Sequence, residues 1–242
     1  MTLKRTLKSL ETGGKNAFRS LLAPRAIRTL QESAAGVTTL EEAVALSSQF
    51  NYRHIRLDPS QIPGEILQLL RLLSSNPPKT VLEIGTYRGG TFFLFTRVAS
   101  VEALLISLDL PPNRSGFGYP PWRSRLFRSF ARAQQKIELV LADSHQPVTV
   151  ARIEKLLGDR RLDFLFIDGD HSYDGVKADY EMYSSLVSSG GVIAFHDIVP
   201  RLPGVSSGVP RFWQELKKTV PVTEFVTDWK QDGFGIGVVR RS

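Results

Sequence analysis

Residues 80–91, Thr-Val-Leu-Glu-Ile-Gly-Thr-Tyr-Arg-Gly-Gly-Thr, restrict what this chain can fold into more than any other stretch. A short apolar run holding Glu83 near its end passes through a glycine-rich turn into Phe92, Phe93, Leu94 and Phe95. This reads as strand, tight turn and helix, the opening of a nucleotide-binding α/β unit. Gly85 and Gly89 mark a ligand-facing turn, since glycine is needed where φ is positive or where a ligand presses on the backbone. The helix start behind them offers free N–H groups to an anion. A dinucleotide fingerprint needs glycine two positions after Gly85, and Tyr87 stands there, so a pyrophosphate would meet a phenol ring.

From about residue 61 onward, strand-like and helix-like stretches alternate, which predicts a parallel sheet with helices on both faces. Further strands are expected at 103–109, 137–142, 162–168 and 191–196, with helices at 123–135, 147–158, 174–188 and 208–219. The end differs: 222–227 and 234–239 are joined by Lys230-Gln231-Asp232-Gly233, a hairpin signal. The expected fold is therefore α/β, a Rossmann-like doubly wound sheet of seven strands, mostly parallel with a C-terminal antiparallel hairpin. Residues 1–60 read as a basic helical N-terminal extension, a cap or oligomer contact, and 61–242 as the main domain. Within that extension Leu3, Leu7 and Leu10 recur at helical spacing, and a second amphipathic piece, 18–22, ends at Pro24. A further helix is expected over 39–48, capped by Thr38 or Thr39, and another over 63–74.

The polar residues that close the strands are the ones to read, because ligands of such sheets sit beyond the carboxyl ends. The second strand ends in Asp109, suited to a ribose diol, and the third in Asp143-Ser144-His145, suited to an adenine edge. The fourth runs into Asp168-Gly169-Asp170-His171 and the fifth into His196-Asp197-Ile198. Buried carboxylates are expensive to desolvate, so a cluster of this kind points to cation binding or proton transfer. The chain has no cysteine, so a metal would have to use carboxylate, imidazole or backbone oxygen. The loop 111–123, rich in glycine and aromatic residues, suits a flap over the site.

The pattern Glu83-x-Gly85-x-x-x-Gly89 resembles the first motif of class I S-adenosylmethionine (SAM) methyltransferases. The chain from about Pro63 to Val239 resembles the metal-dependent O-methyltransferases more specifically, in the branch of cephalosporin-hydroxylase-like and macrolide-sugar enzymes. Ile167-Asp168-Gly169-Asp170-His171-Ser172-Tyr173, Phe195-His196-Asp197-Ile198 and Gly208-Val209-Pro210-Arg211-Phe212-Trp213 carry that resemblance. It implies a SAM site built from Glu83, Gly85, Thr86, Tyr87, Gly89, Thr91, Asp109, Asp143, Ser144 and Asp168. It implies a divalent metal, Mg²⁺ or Mn²⁺, on Asp168, His196 and Asp197, with His171 as the base that takes the proton of an acceptor hydroxyl. His196 departs from the carboxylate common at its position; imidazole suits Mg²⁺ poorly. The implied activity is methyl transfer to a hydroxyl of a small molecule such as a sugar or polyketide, in natural product biosynthesis.

Charge supplies the rival readings. Seven basic residues, Lys4 to Arg28, face only Glu11 within residues 1–30, a net +6 of the chain's formal +7. Such an arm suits peripheral contact with an anionic membrane, a homo-oligomer contact, or nucleic acid. A nucleic-acid amino-methyltransferase would carry an Asn/Asp-Pro-Pro-aromatic motif after the fourth strand, where Asp168-Gly169-Asp170-His171 stands instead. A non-catalytic scaffold with the same fold is the other alternative, and an oxygenase a minor one that would set His171, His196 and Asp168 on one iron. No apolar run is long enough to span a bilayer and no signal-peptide core is present, so a cytoplasmic protein is expected.

Overall fold

A computed structural model describes residues 2–112, 118–202 and 207–242. A long helix α1 (Thr2–Ala35) and a capped helix α2 (Leu40–Gln49) lead into a short hairpin, β1 (Asn51–Tyr52) and β2 (Ile55–Arg56). Then come α3 (Pro63–Ser74), β3 (Thr80–Ile84), α4 (Gly90–Val98), β4 (Leu104–Asp109), α5 (Trp122–Arg128), β5 (Lys136–Leu141) and α6 (Pro147–Leu157). The chain continues through β6 (Leu162–Ile167), α7 (Tyr173–Tyr183), β7 (Val187–His196), α8 (Val209–Leu216), β8 (Val222–Phe225) and β9 (Ile236–Arg240).

Seven strands form one sheet in the order β5-β4-β3-β6-β7-β9-β8. The first five pair in parallel, and β9 inserts antiparallel between β7 and β8. This is the expected Rossmann-like sheet, mostly parallel with an antiparallel C-terminal pair. Every side chain of β3 is buried, because helices cover the central strands on both faces. Strand order reverses between β3 and β6, which opens a crevice at their carboxyl ends. Gly85 and Asp168 stand at that crevice: Gly85 N–H donates to Leu108 O at 2.9 Å, and Asp168 N–H to Ile84 O at 2.9 Å.

Three local expectations are corrected. The helix expected to end at Pro24 runs through it to Ala35. Leu22, Ala23, Ala26 and Leu30 are buried on the same helix, and that packing offsets the roughly 3 kcal/mol of an interior proline. The helix expected over 123–135 stops at Arg128, and the β8–β9 connection spans 226–235 instead of a tight turn. The side chains of Leu3, Leu7 and Leu10, and residues 113–117 of the expected flap, lie outside the described residues. One apolar cluster joins Leu22, Leu30 and Val44 to Val81, Phe92 and Phe164, so the N-terminal segment and the sheet share a core.

A buried carboxylate ties the C-terminal connection to the core. Glu65 at the start of α3 is fully buried and accepts from Thr227 N–H (2.8 Å), Gln231 Nε2 (2.9 Å) and Gly235 N–H (2.9 Å). Glu65→Ala strands three donors in the interior, and urea unfolding is expected to show a loss of about 3 kcal/mol. A loss below about 1 kcal/mol would mean that water replaces the carboxylate freely.

Candidate active site at the carboxyl ends of the strands

The crevice opens into a cavity of about 1310 Å³, lined at one end by Gly85, Thr86, Tyr87 and Asp109 and at the other by Asp168, His171 and His196. Asp143 and Ser144, after β5, also line it, as does Thr91 on α4. Glu83, Gly89 and Asp197 are not among its lining residues.

The turn owes its glycines to packing. A Cβ on Gly85, at φ +89°, would sit 2.0 Å from the Asp168 carbonyl oxygen, and one on Gly89, at φ +83°, 2.3 Å from the Phe127 ring. Glu83 is fully buried in β3, and neither of its carboxylate oxygens meets hydrogen-bond geometry. Burial pushes its pKa well above the usual carboxylate range, with the Thr86 hydroxyl offsetting only part. Asp109 performs the turn's internal bonding: Oδ2 accepts from Thr86 N–H (3.1 Å) and Tyr87 N–H (2.7 Å), and Oδ1 from Leu110 N–H (2.7 Å). Those bonds fix the turn and use three of a carboxylate's roughly four acceptor positions.

At the far end, β6 and β7 bring together the groups expected there. Asp168 Oδ1 accepts from His171 Nε2 at 3.1 Å and from His196 Nδ1 at 3.0 Å. His171 Nδ1 lies 3.0 Å from Asp197 Oδ2, so this imidazole bridges the two carboxylates. Asp197 Oδ2 also receives Arg201 at 2.8 Å, and Oδ1 receives Phe234 N–H at 2.9 Å. These bonds hold Asp197 in the left-handed region, at φ +61°, a strained conformation outside glycine.

Charge within this cluster is balanced internally. Hydrogen bonds to Asp168 and Asp197 raise the His171 pKa to about 10. Burial opposes ionisation of Asp197, yet His171, His196 and Arg201 together pull its pKa well below the usual range. Burial likewise opposes ionisation of Asp168, and His196 and His171 overcome it. Arg201, Gln61, whose Nε2 lies 3.4 Å from Asp168 Oδ2, and Phe234 were not legible as site residues. The available signal for Arg201 was its place four residues after Asp197.

The implied divalent metal does not fit the donors as they are arranged. Both Asp197 oxygens are taken by a guanidinium, an imidazole and a backbone N–H, and Asp168 Oδ1 by two imidazoles. A divalent cation would have to displace positive charge already paired to the same oxygens. No step is therefore assigned to it.

Residues 82–198 match a family model described as a methyltransferase domain. Over that stretch the chain is similar to a methyltransferase domain. An O-methyltransferase from Bacillus cereus, solved in complex with SAH, aligns with a TM-score of 0.55 at 21% identity over 89% of this chain and 100% of that one. The O-methyltransferase TomG from Streptomyces achromogenes, involved in tomaymycin synthesis and solved with SAM, aligns at 0.53 and 18% over 88% and 95%. An uncharacterized protein of Sinorhizobium fredii is 28% identical over 156 residues, or 61% of this chain. The chain spans only 16% of that relative's length. No helix among the described residues is long and apolar enough to cross a membrane.

One further buried acid makes a pH prediction. Asp179 on α7 is fully buried, with His145 Nε2 at 3.3 Å, and neither oxygen meets hydrogen-bond geometry. Burial raises its pKa from 3.8 to about 6, against smaller pulls from Ser144 and His145. The folded state then holds a proton that the unfolded state releases, so Asp179's contribution is fully present below its unfolded pKa. It is lost as pH rises through the folded one. Urea unfolding of wild type relative to Asp179→Asn should fall by on the order of 3 kcal/mol between pH ~4 and ~7. Parallel pH profiles would contradict this.

Proposed function

We propose that this chain is a SAM-dependent O-methyltransferase acting on a hydroxyl of a small molecule, such as a sugar or polyketide. The observation that carries this reading is the single cavity joining the glycine turn to the Asp168–His171 pair. Its volume exceeds that of an ordinary small-molecule pocket and leaves room for a donor and an acceptor together.

Gly85, Thr86, Tyr87 and Thr91 would hold one end of the donor, the remaining acceptor capacity of Asp109 the ribose, and Asp143 and Ser144 the base. Asp109 also fixes the backbone N–H groups of Thr86 and Tyr87, so it shapes the wall it belongs to. Glu83 and Gly89 support the turn without contacting the donor. When bound, SAM supplies a methyl group already activated by its sulfonium.

His171 is the side chain best placed to manage the acceptor proton, being partly exposed to the cavity while anchored by two carboxylates. Bridged as it is, the imidazole is charged and cannot accept a proton. An acceptor hydroxyl that displaces one carboxylate from it removes a charge that favours the imidazolium, so that ring nitrogen can release its proton to solvent. The neutral nitrogen then takes the hydroxyl proton as the hydroxyl oxygen attacks the methyl group. Asp168 and Asp197 then steady the imidazolium, with Arg201 balancing Asp197. His196, nearly fully buried, positions Asp168.

The test is transfer of an isotope-labelled methyl group from SAM to a panel of sugar, polyketide and phenolic hydroxyl acceptors. Label recovered as an alkali-stable methyl ether supports the reading. Label recovered only on nitrogen, or on added RNA or DNA, would overturn it.

A further inference from the structure

A second cavity, of about 260 Å³, lies beside the first and is lined by Arg19, His54, Arg56, Arg88 and Arg123. These residues come from four separate segments: α1, the β1–β2 hairpin, the glycine turn and α5. Folding has gathered four guanidinium groups and an imidazole around one void, which repulsion between like charges opposes.

Arg123 is the least expected of them. It is 8% exposed, yet its recorded hydrogen bonds are from one terminal nitrogen to backbone carbonyls, Arg56 O at 3.1 Å and Arg88 O at 3.0 Å. Among the described residues no carboxylate pairs with Arg123 or Arg56. Burial, followed by the charges of Arg88 and Arg19, pulls the Arg123 pKa down to about 10, still charged at neutral pH. Asp58, which lines the larger cavity, is paired to Arg88. With hydrogen bonds among the described residues from only one terminal nitrogen, the Arg123 guanidinium lines a cavity with three other guanidinium groups, and like charges so gathered favour an anion.

We propose that this cavity is a binding site for a phosphate or diphosphate group. Guanidinium forks match phosphate oxygens in geometry as well as charge, and a void holding the volume of roughly eight or nine waters accommodates two linked phosphates. The group comes either from a soluble phosphorylated metabolite or from a phospholipid headgroup, to which the basic residues of the N-terminal sequence would be attracted. The Asp58–Arg88 pair stands between the two cavities, Asp58 lining the larger and Arg88 the smaller. Phosphate binding is thus placed next to the glycine turn without depending on methyl transfer.

The test uses the full chain and inorganic pyrophosphate, with sodium chloride at matched ionic strength as control. Thermal unfolding should show a saturable rise in Tm of roughly 5–10 °C at ~100-fold Kd. The double variant Arg19→Gln/Arg56→Gln, at partly exposed positions, should bind about tenfold or more weakly. Its Tm without anion should be unchanged or raised, because repulsion is relieved. Arg123→Lys, which keeps the charge but loses the fork, should also weaken binding. Flotation with phosphatidylglycerol and phosphatidylcholine vesicles separates the sources. Pyrophosphate binding lost in the double variant supports a soluble phosphate, and vesicle binding lost in it without a pyrophosphate response supports a headgroup. No binding to either, or binding unchanged in the double variant, overturns the proposal.

Discussion

His171→Ala is expected to lower kcat for methyl transfer by roughly 10²–10⁴-fold while leaving SAM affinity within a few-fold of wild type. The side chain sits between Asp168 and Asp197, at 3.1 and 3.0 Å, and is 38% exposed toward the cavity. Its loss removes the imidazole beside Asp168 and Asp197 that can both contact an acceptor and pass charge to a carboxylate, since His196 is 5% exposed. Removing His171 also leaves Asp197 with Arg201 and the Phe234 N–H, so the fold is expected to survive. Single-turnover kinetics with SAM bound check the prediction. Near-normal turnover would assign proton removal elsewhere, and an equal loss of SAM affinity would make His171 a structural residue.

Gly85→Ala is expected to be among the most costly single methyl additions at the described glycines. The added Cβ would lie 2.0 Å from the Asp168 carbonyl oxygen and 2.5 Å from its carbon, both backbone atoms that cannot swing aside. The residue also sits at φ +89°, which an alanine adopts only under strain. Moving β3 from β6 to relieve the clash would break the Asp168 N–H to Ile84 O bond that closes the crevice. The result should be a loss of at least ~3 kcal/mol of stability, or insoluble protein, and SAM binding weakened beyond detection in any folded fraction. Chemical unfolding and calorimetry test both parts. A stable variant with wild-type SAM affinity would show that the turn is not where the donor binds.

Much of the fold could be read because its signals are local. The run into Gly85, the alternation of elements and the closing hairpin all lie within short windows of sequence. The convergence of Asp168, His171, His196 and Asp197 followed from placing them at the ends of two neighbouring strands. What the chain did with them did not follow, because hydrogen-bond partners arrive from elsewhere. Arg201 and Phe234 engage Asp197, and Gln61 reaches Asp168 across more than a hundred residues. The resemblance implied a metal-ligand set, and the guanidinium and imidazole groups that folding brings onto the same oxygens could not be read with it. The glycines of the turn were read as ligand-facing, and the partners that also require them, the Asp168 carbonyl and the Phe127 ring, lie far along the chain. The arginine cavity was illegible for the same reason, since Arg19, Arg56, Arg88 and Arg123 share no motif.

The central claim is that the crevice at the ends of β3 and β4 takes SAM through the turn that Asp109 holds. Isothermal titration of SAM into the wild-type chain and into Asp109→Ala tests it most directly. The expected result is saturable binding of about one SAM per chain to the wild type and at least tenfold weaker binding to the variant, from the lost turn bonds and ribose contact. A silent wild-type titration, or equal affinity in the two proteins, would contradict it.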